Sequence, residues 1–162
     1  MKSSNPRTII LDTFLVSSLG KQLPLGDLDS ITQSDRAQLW VIECIEKQNT
    51  IVIPAICYYE CIREYKRNNA FAQLQRLKVY CDKCLLPITN EHLELAADLW
   101  AKARNEGVPT AAKEALDCDV ILAAQAILIN ENLNNFVVAT TNVGHLSRFV
   151  PASNWQDITP GS

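Results

Sequence analysis

The stretch Arg7-Thr8-Ile9-Ile10-Leu11-Asp12-Thr13 constrains the chain more than any other. Three consecutive apolar residues run directly into an acid and a hydroxyl. A short, unbroken apolar run suits a strand buried on both faces, as in a parallel sheet. Asp12 then sits at the carboxyl end of that strand, where open α/β sheets bind ligands. A carboxylate placed there needs compensation for its lost hydration. Further acids gathered around a divalent cation would supply it.

The rest of the sequence predicts an alternation of strands and helices. Leu15, Val16, Leu19 and Leu23 suit a short helix, and Pro24-Leu25-Gly26-Asp27 a turn. Ser34 is the expected cap of a helix running through Ala37, Trp40, Val41 and Ile45. Ile51-Val52-Ile53 reads as a second strand stopped by Pro54. A helix carrying Ile56, Tyr59, Glu60 and Arg63 follows, broken at Asn68-Asn69, and a further helix carries Phe71, Leu74 and Leu77. Leu85-Leu86-Pro87-Ile88 is an edge strand, because proline cannot donate to a ladder.

Asn90 opens a long helix that Gly107 and Pro109 end, and a polar loop covers 107–116. Asp117 to Ile129 is a helix and Phe136 to Thr140 a buried strand. A short turn or helix at 143–147 and a last edge strand at Trp155-Gln156-Asp157-Ile158 complete the reading. The class is α/β: a doubly wound, mostly parallel sheet of four to five strands flanked by helices, forming a single domain over 1–162.

Charge and cysteine content narrow the function. The net charge is −3, so contact with nucleic acid must come from a local patch. Between Ile62 and Tyr80 stand Arg63, Lys66, Arg67, Arg76 and Lys78 against Glu64 alone. That face suits either an RNA backbone or solvent. No apolar stretch has the length of a membrane span, and no secretory leader is evident, so a cytoplasmic protein is expected. The six cysteines then read as reduced thiols in packing roles, Cys81-Asp82-Lys83-Cys84 included.

Four candidate site residues fall at the ends of elements. Asp12 ends the first strand, and Glu60 lies one to two turns into the helix after the second. Asp119 lies in the first turn of the 117–129 helix, and Asn142 just past the fourth strand. Parallel strands bring such ends to one side of the sheet. Carboxylates gathered there repel one another without a cation, and oxygen-only ligands favour Mg²⁺ or Mn²⁺. Such ions serve phosphodiester hydrolysis.

Each candidate also has a plainer reading. Asp12 could cap the next helix, Glu60 could face solvent, and Asn142 could be turn chemistry. Asp117 competes with Asp119, since residues two apart on a helix cannot both face one site. Thr13, Thr140 and Arg63 are the candidates for touching substrate or supporting the acids. His92 and His145 have no partner at metal or triad spacing.

These residues carry a family resemblance. Ile9-Ile10-Leu11-Asp12-Thr13 resembles the opening motif of PIN-domain ribonucleases, above all VapC-type toxins. Ile53-Pro54-Ala55-Ile56-Cys57-Tyr58-Tyr59-Glu60 resembles their second motif, and Asp119-Val120-Ile121-Leu122-Ala123-Ala124 their third. Val138-Ala139-Thr140-Thr141-Asn142 resembles the fourth. The resemblance runs through nearly the whole chain. It implies a PIN-like fold and metal-dependent cleavage of RNA, with Asp12, Glu60 and Asp119 binding Mg²⁺ or Mn²⁺ and Asn142 in the fourth position. It further implies a toxin held by a small antitoxin protein, and a possible homodimer. The family usually has Asn or Ser two residues after the first aspartate, where this chain has Phe14. Phe14 and Asn142 together suit an alternative, an RNA-binding or interaction module of the same fold with weakened catalysis. Phe14 also argues against a haloacid-dehalogenase-like phosphotransfer site, which needs a second acid there.

Overall fold

The computed structural model describes residues 6–107, 113–130 and 135–162. Five strands form one sheet: β1 (Thr8–Leu11), β2 (Thr50–Pro54), β3 (Leu85–Leu86), β4 (Phe136–Thr140) and β5 (Ala152–Asn154). Their spatial order is β3-β2-β1-β4-β5, and every pairing is parallel. The sheet is therefore wholly parallel where the sequence suggested mostly so. β1 lies at its centre, with Ile10 level with Val52 of β2 and Val138 of β4. Ile9, Ile10 and Leu11 are fully buried. Burying a side chain of this size stabilises the fold by roughly 1.5–3 kcal/mol. That explains why this run cannot alternate with polar residues.

The connections are helical: α1 (Thr13–Ser18), α2 (Gln33–Glu46), α3 (Ala55–Arg67), α4 (Phe71–Cys84), α5 (Asn90–Asn105), α6 (Lys113–Asn130) and α7 (Val143–Leu146). The chain builds β1, β2 and β3 outward in one direction, then returns to lay β4 against the other side of β1. The strand order thus reverses between β1 and β4, and a crevice opens at the carboxyl ends of such a pair. Both edges are short. Pro87 follows β3 and Pro151 precedes β5, each without a backbone donor.

Three local expectations are corrected. Thr32, not Ser34, caps α2: its hydroxyl accepts from Asp35 N at 3.2 Å while the Asp35 carboxylate accepts from Thr32 N at 2.8 Å. This reciprocal pair satisfies two helix-end donors at once. α6 starts at Lys113, inside the expected loop, so Asp119 lies nearly two turns into the helix rather than in its first turn. The remainder of that loop, residues 108–112, lies outside the described residues, as does Pro109.

The last strand is Ala152–Asn154, and Trp155–Asp157 is a 3-10 turn. The Asn154 side chain accepts from Gln156 N at 3.0 Å and starts that turn. Trp155 then packs edge-on against Trp40 at 5.7 Å, and Trp40 Nε1 donates to the Ile158 carbonyl. These contacts need a compact turn, which an extended 155–158 would abolish. α5 opens at Asn90 as the sequence predicts, capped by Thr89, whose backbone N–H donates to His92 Nδ1 at 2.9 Å. His92 is thus a buried capping partner.

The end of α1 presses against α3 and α4. Tyr65 donates to the Ser17 carbonyl at 2.7 Å, and Arg76 Nε donates to the Gly20 carbonyl at 2.7 Å. A Cβ on Gly20 would lie 2.3 Å from the Tyr65 hydroxyl and 3.1 Å from the Gln73 carbonyl. Gly20→Ala is expected to lower stability by roughly 1–3 kcal/mol through forced repacking. Denaturant unfolding checks this, and an unchanged midpoint would contradict the close approach.

Candidate acidic site

Three elements deliver the acids. Asp12 follows β1 directly, and its N–H donates to the Ala139 carbonyl of β4 at 3.1 Å, extending the ladder by one rung. Its backbone is therefore fixed by the sheet. One carboxylate oxygen accepts from Thr13 N at 2.6 Å, which makes Asp12 the N-cap of α1. The other accepts from the Thr140 hydroxyl at 2.5 Å. The capping reading and the site reading of Asp12 thus hold together.

Glu60 is on α3 with about a fifth of its side chain exposed, so it does not simply face solvent. It accepts from the Thr13 hydroxyl at 2.5 Å and stands 3.6 Å from Arg63 Nη2. Asp119 on α6 is half-buried, whereas Asp117 is exposed. The structure turns Asp119 toward the other acids and leaves Asp117 beside Trp100 and Val120, on the outer groove between α5 and α6.

Burial raises the Asp12 pKa above its ordinary value, against the pull of the Thr140 and Thr13 hydrogen bonds, and Glu60 adds to the rise. Asp119 is pushed up to about 6, first by burial and then by the charge of Asp12, with His145 and Arg148 pulling the other way. The three acids therefore feel one another and share a negative field.

Thr13 and Thr140 support this arrangement. Each hydroxyl clamps one carboxylate, and Thr140 Oγ1 also accepts from Asn142 N at 2.9 Å. Asn142 is exposed at the start of α7, and its side chain forms no hydrogen bond among the described residues. Its observed tie to the acids runs through its backbone and Thr140. Phe14 packs into the hydrophobic core.

Two features went unread in the sequence. The first is a ring of thiols. Cys61 Sγ lies 3.5 Å from the Thr13 carbonyl, Cys57 is buried beside Asp12, and Cys118 lies beside Glu60. Burial pushes the Cys61 and Cys118 thiols up to about 12, so they remain protonated. All six cysteines are free.

The second is the charge of Arg148, on the flank that also carries His145. His145 Nδ1 is 3.8 Å from Asp119 Oδ2, and Arg148 lies beyond it. Asn142, His145 and Arg148 recur at every third residue, the one signal that would place them together. The basic stretch of α3 and α4 is in part spent internally: Arg67 pairs with Glu64 at 2.7 Å and Arg76 bonds the Gly20 carbonyl.

The donor set is all oxygen, which fits a hard divalent cation. As the side chains stand, no group of three or more His, Cys, Asp or Glu among the described residues is arranged to hold a metal ion. Asp12 and Glu60 are instead turned onto threonine hydroxyls.

Neither family models nor curated proteins match this sequence. Solved structures do match. A chain of VapBC2 from Rickettsia felis, solved bound to a DNA fragment from the promoter, is similar with TM-score 0.63 and 16% identity, over 91% of this chain and 98% of that one. A chain of FitAcB from Neisseria gonorrhoeae gives 0.62 and 20%, over 93% and 100%. A chain of VapBC-1 from nontypeable Haemophilus influenzae gives 0.60 and 16%, over 93% and 99%. The fold is PIN-like, as the sequence resemblance implied.

The raised Asp119 pKa has a measurable consequence. Between about pH 4 and 6 the folded chain holds a proton that the unfolded chain has released, so stability falls as pH rises through that window. From about pH 4 to 7, metal-free wild type is expected to lose on the order of 2 kcal/mol relative to Asp119→Asn. Thermal denaturation of both proteins in chelator checks this. Parallel pH profiles would show that Asp119 is unperturbed.

Proposed function

We propose that this chain is a metal-dependent endoribonuclease and the toxin of a toxin–antitoxin pair. The observation that carries this reading is the gathering of Asp12, Glu60 and Asp119 from three elements at the strand-order switch point. The PIN-like fold and the resemblance of all four motifs to VapC-type toxins support it.

Asp12, Glu60 and Asp119 are the residues that would hold Mg²⁺ or Mn²⁺. When bound, such an ion supplies charge neutralisation at a phosphate and a more acidic water. The protein's own part is preparation. The sheet fixes Asp12, and Thr140 keeps one of its oxygens oriented. Thr13 holds Glu60 at the mouth of α1 and must release it for a cation to be shared. Burial and the charge of Asp12 raise the Asp119 pKa to about 6, and a bound cation would favour its charged form. The buried thiols exclude water from the inner side without competing as thiolates.

RNA is the substrate of this reading, a small antitoxin the partner, and a homodimer and a cytoplasmic location belong to it. No helix among the described residues is long and apolar enough to cross a membrane.

A second reading rests on the absence of a ready ligand cage among the described residues and on Phe14 packing into the core. It is a PIN-like RNA-binding module with little catalysis. Calorimetric titration with Mn²⁺ separates the two, since the module need bind no ion.

Asp12→Asn is expected to reduce Mn²⁺-stimulated cleavage of total or transfer RNA by at least ~100-fold while circular dichroism stays unchanged. Equal cleavage by the variant and wild type would refute the acidic site as catalytic. Expression with its flanking genes is expected to bring a small protein through purification at fixed stoichiometry. A chain that purifies alone, with no effect on growth when induced, would remove the toxin role.

A further inference from the structure

The acids are bracketed by two arginines, each laid over an aromatic ring. Arg63 on α3 lies 5.4 Å from the Tyr59 ring centre and 3.6 Å from Glu60. Arg148, just beyond α7, lies 5.3 Å from the Phe149 ring centre and adds its charge to the field at Asp119. α3 follows β2 and α7 follows β4, and those strands flank β1 on opposite sides. The two guanidinium groups therefore stand on opposite flanks of Asp12. Both are exposed enough to meet a ligand. Arg148 also lines a cavity of about 210 Å³ with Lys102, whose floor is Leu99, Ala103 and Phe149 and whose rim carries Glu106.

We propose that Arg63 and Arg148 form a two-point phosphate clamp. It seats a single RNA strand across the acids, with the strand continuing past Arg148 toward Lys102. This deepens the ribonuclease reading and rests on it for the choice of RNA.

An arginine stacked on a ring is held in place and loses little freedom on gripping a phosphate. Aromatic rings beside cations are the usual platform for unpaired bases. Tyr59 is half-exposed and offers such a surface. A duplex needs a broad basic face. This chain carries net −3, and part of its α3–α4 basic stretch is tied up internally. A narrow line of cations through the acids suits one backbone.

The test is fluorescence anisotropy with a labelled single-stranded oligoribonucleotide and the full chain in EDTA, where no cleavage occurs. Arg63→Gln and Arg148→Gln are each expected to weaken binding roughly tenfold and to lower the salt slope by about 0.7, the share of one phosphate on a single strand. Lys102→Gln should weaken it less. Lys47→Gln, whose side chain lies against Gly161 at the opposite end of the sheet, should leave it unchanged. A hairpin duplex should bind more weakly and respond little to the arginine variants.

Equal affinity for wild type and both arginine variants would overturn the clamp. So would equal losses with Lys47→Gln, equal losses on the duplex, or no binding by wild type in EDTA. The cleavage assay on Asp12→Asn is read separately. A clamp that fails while cleavage depends on Asp12 leaves the ribonuclease standing, and a clamp that holds while no cleavage depends on Asp12 leaves a binding module.

Discussion

Everything at the acidic end of this molecule depends on how β1 terminates. The strand is bonded on both sides, fully buried over Ile9–Leu11, and it gives way to Asp12 without an intervening turn. A carboxylate fixed there by a backbone bond to β4 cannot swing away to find water. It must be met by donors in place, and Thr140 from β4 and the first N–H of α1 meet it. The parallel register that sets Leu11 against Ala139 puts Thr140 at the matching end of its strand, so the pairing of the sheet and the satisfaction of the acid are one constraint.

The second acid is tied to the first through a single residue. Thr13 offers its backbone N–H to Asp12 and its hydroxyl to Glu60. It thereby links β1 to α3 and holds two like charges near each other. Cys57, Cys61 and Cys118 close the inner side with protonated thiols. The balance of charge is left to Arg63 and Arg148 on the outer side, where His145 also stands beside Asp119. An interior that admits no counter-charge and a rim that supplies it make the field at the acids directional, strongest toward solvent.

The fold was legible where burial writes itself into composition. β1, β2 and β4 are apolar runs because both of their faces are covered, and Pro87 marks β3 as an edge. β5 was not legible: Ala152-Ser153-Asn154 has no apolar run, and its place comes from pairing with β4. The bulk of Trp155 serves a contact with Trp40 and not a strand face. The start of α6 was hidden because Lys113 and its successors read as polar loop.

At the site, Asp12 was legible from its place at a strand end, and Glu60 and Asp119 from their places in the helices after the second strand and before the fourth. Asp119 was separable from Asp117 by the apolar residues that follow it. Thr13 and Thr140 were legible as supports of the acids, but not which hydroxyl meets which carboxylate, since hydroxyls bond many partners and only three-dimensional proximity selects one. Arg148 lay hidden for the same reason, in a stretch with the look of a turn.

The sheet's margins carry a further consequence. β3 has two residues and is followed by Pro87, and β5 has three and is preceded by Pro151. Such margins offer an incoming strand too few free donors and acceptors to register against. Growth of this sheet from one molecule into the next is therefore blocked at both sides. A protein built around a wholly parallel apolar sheet is in this way protected from templated aggregation, and any association of two copies has to proceed through helix faces and side chains.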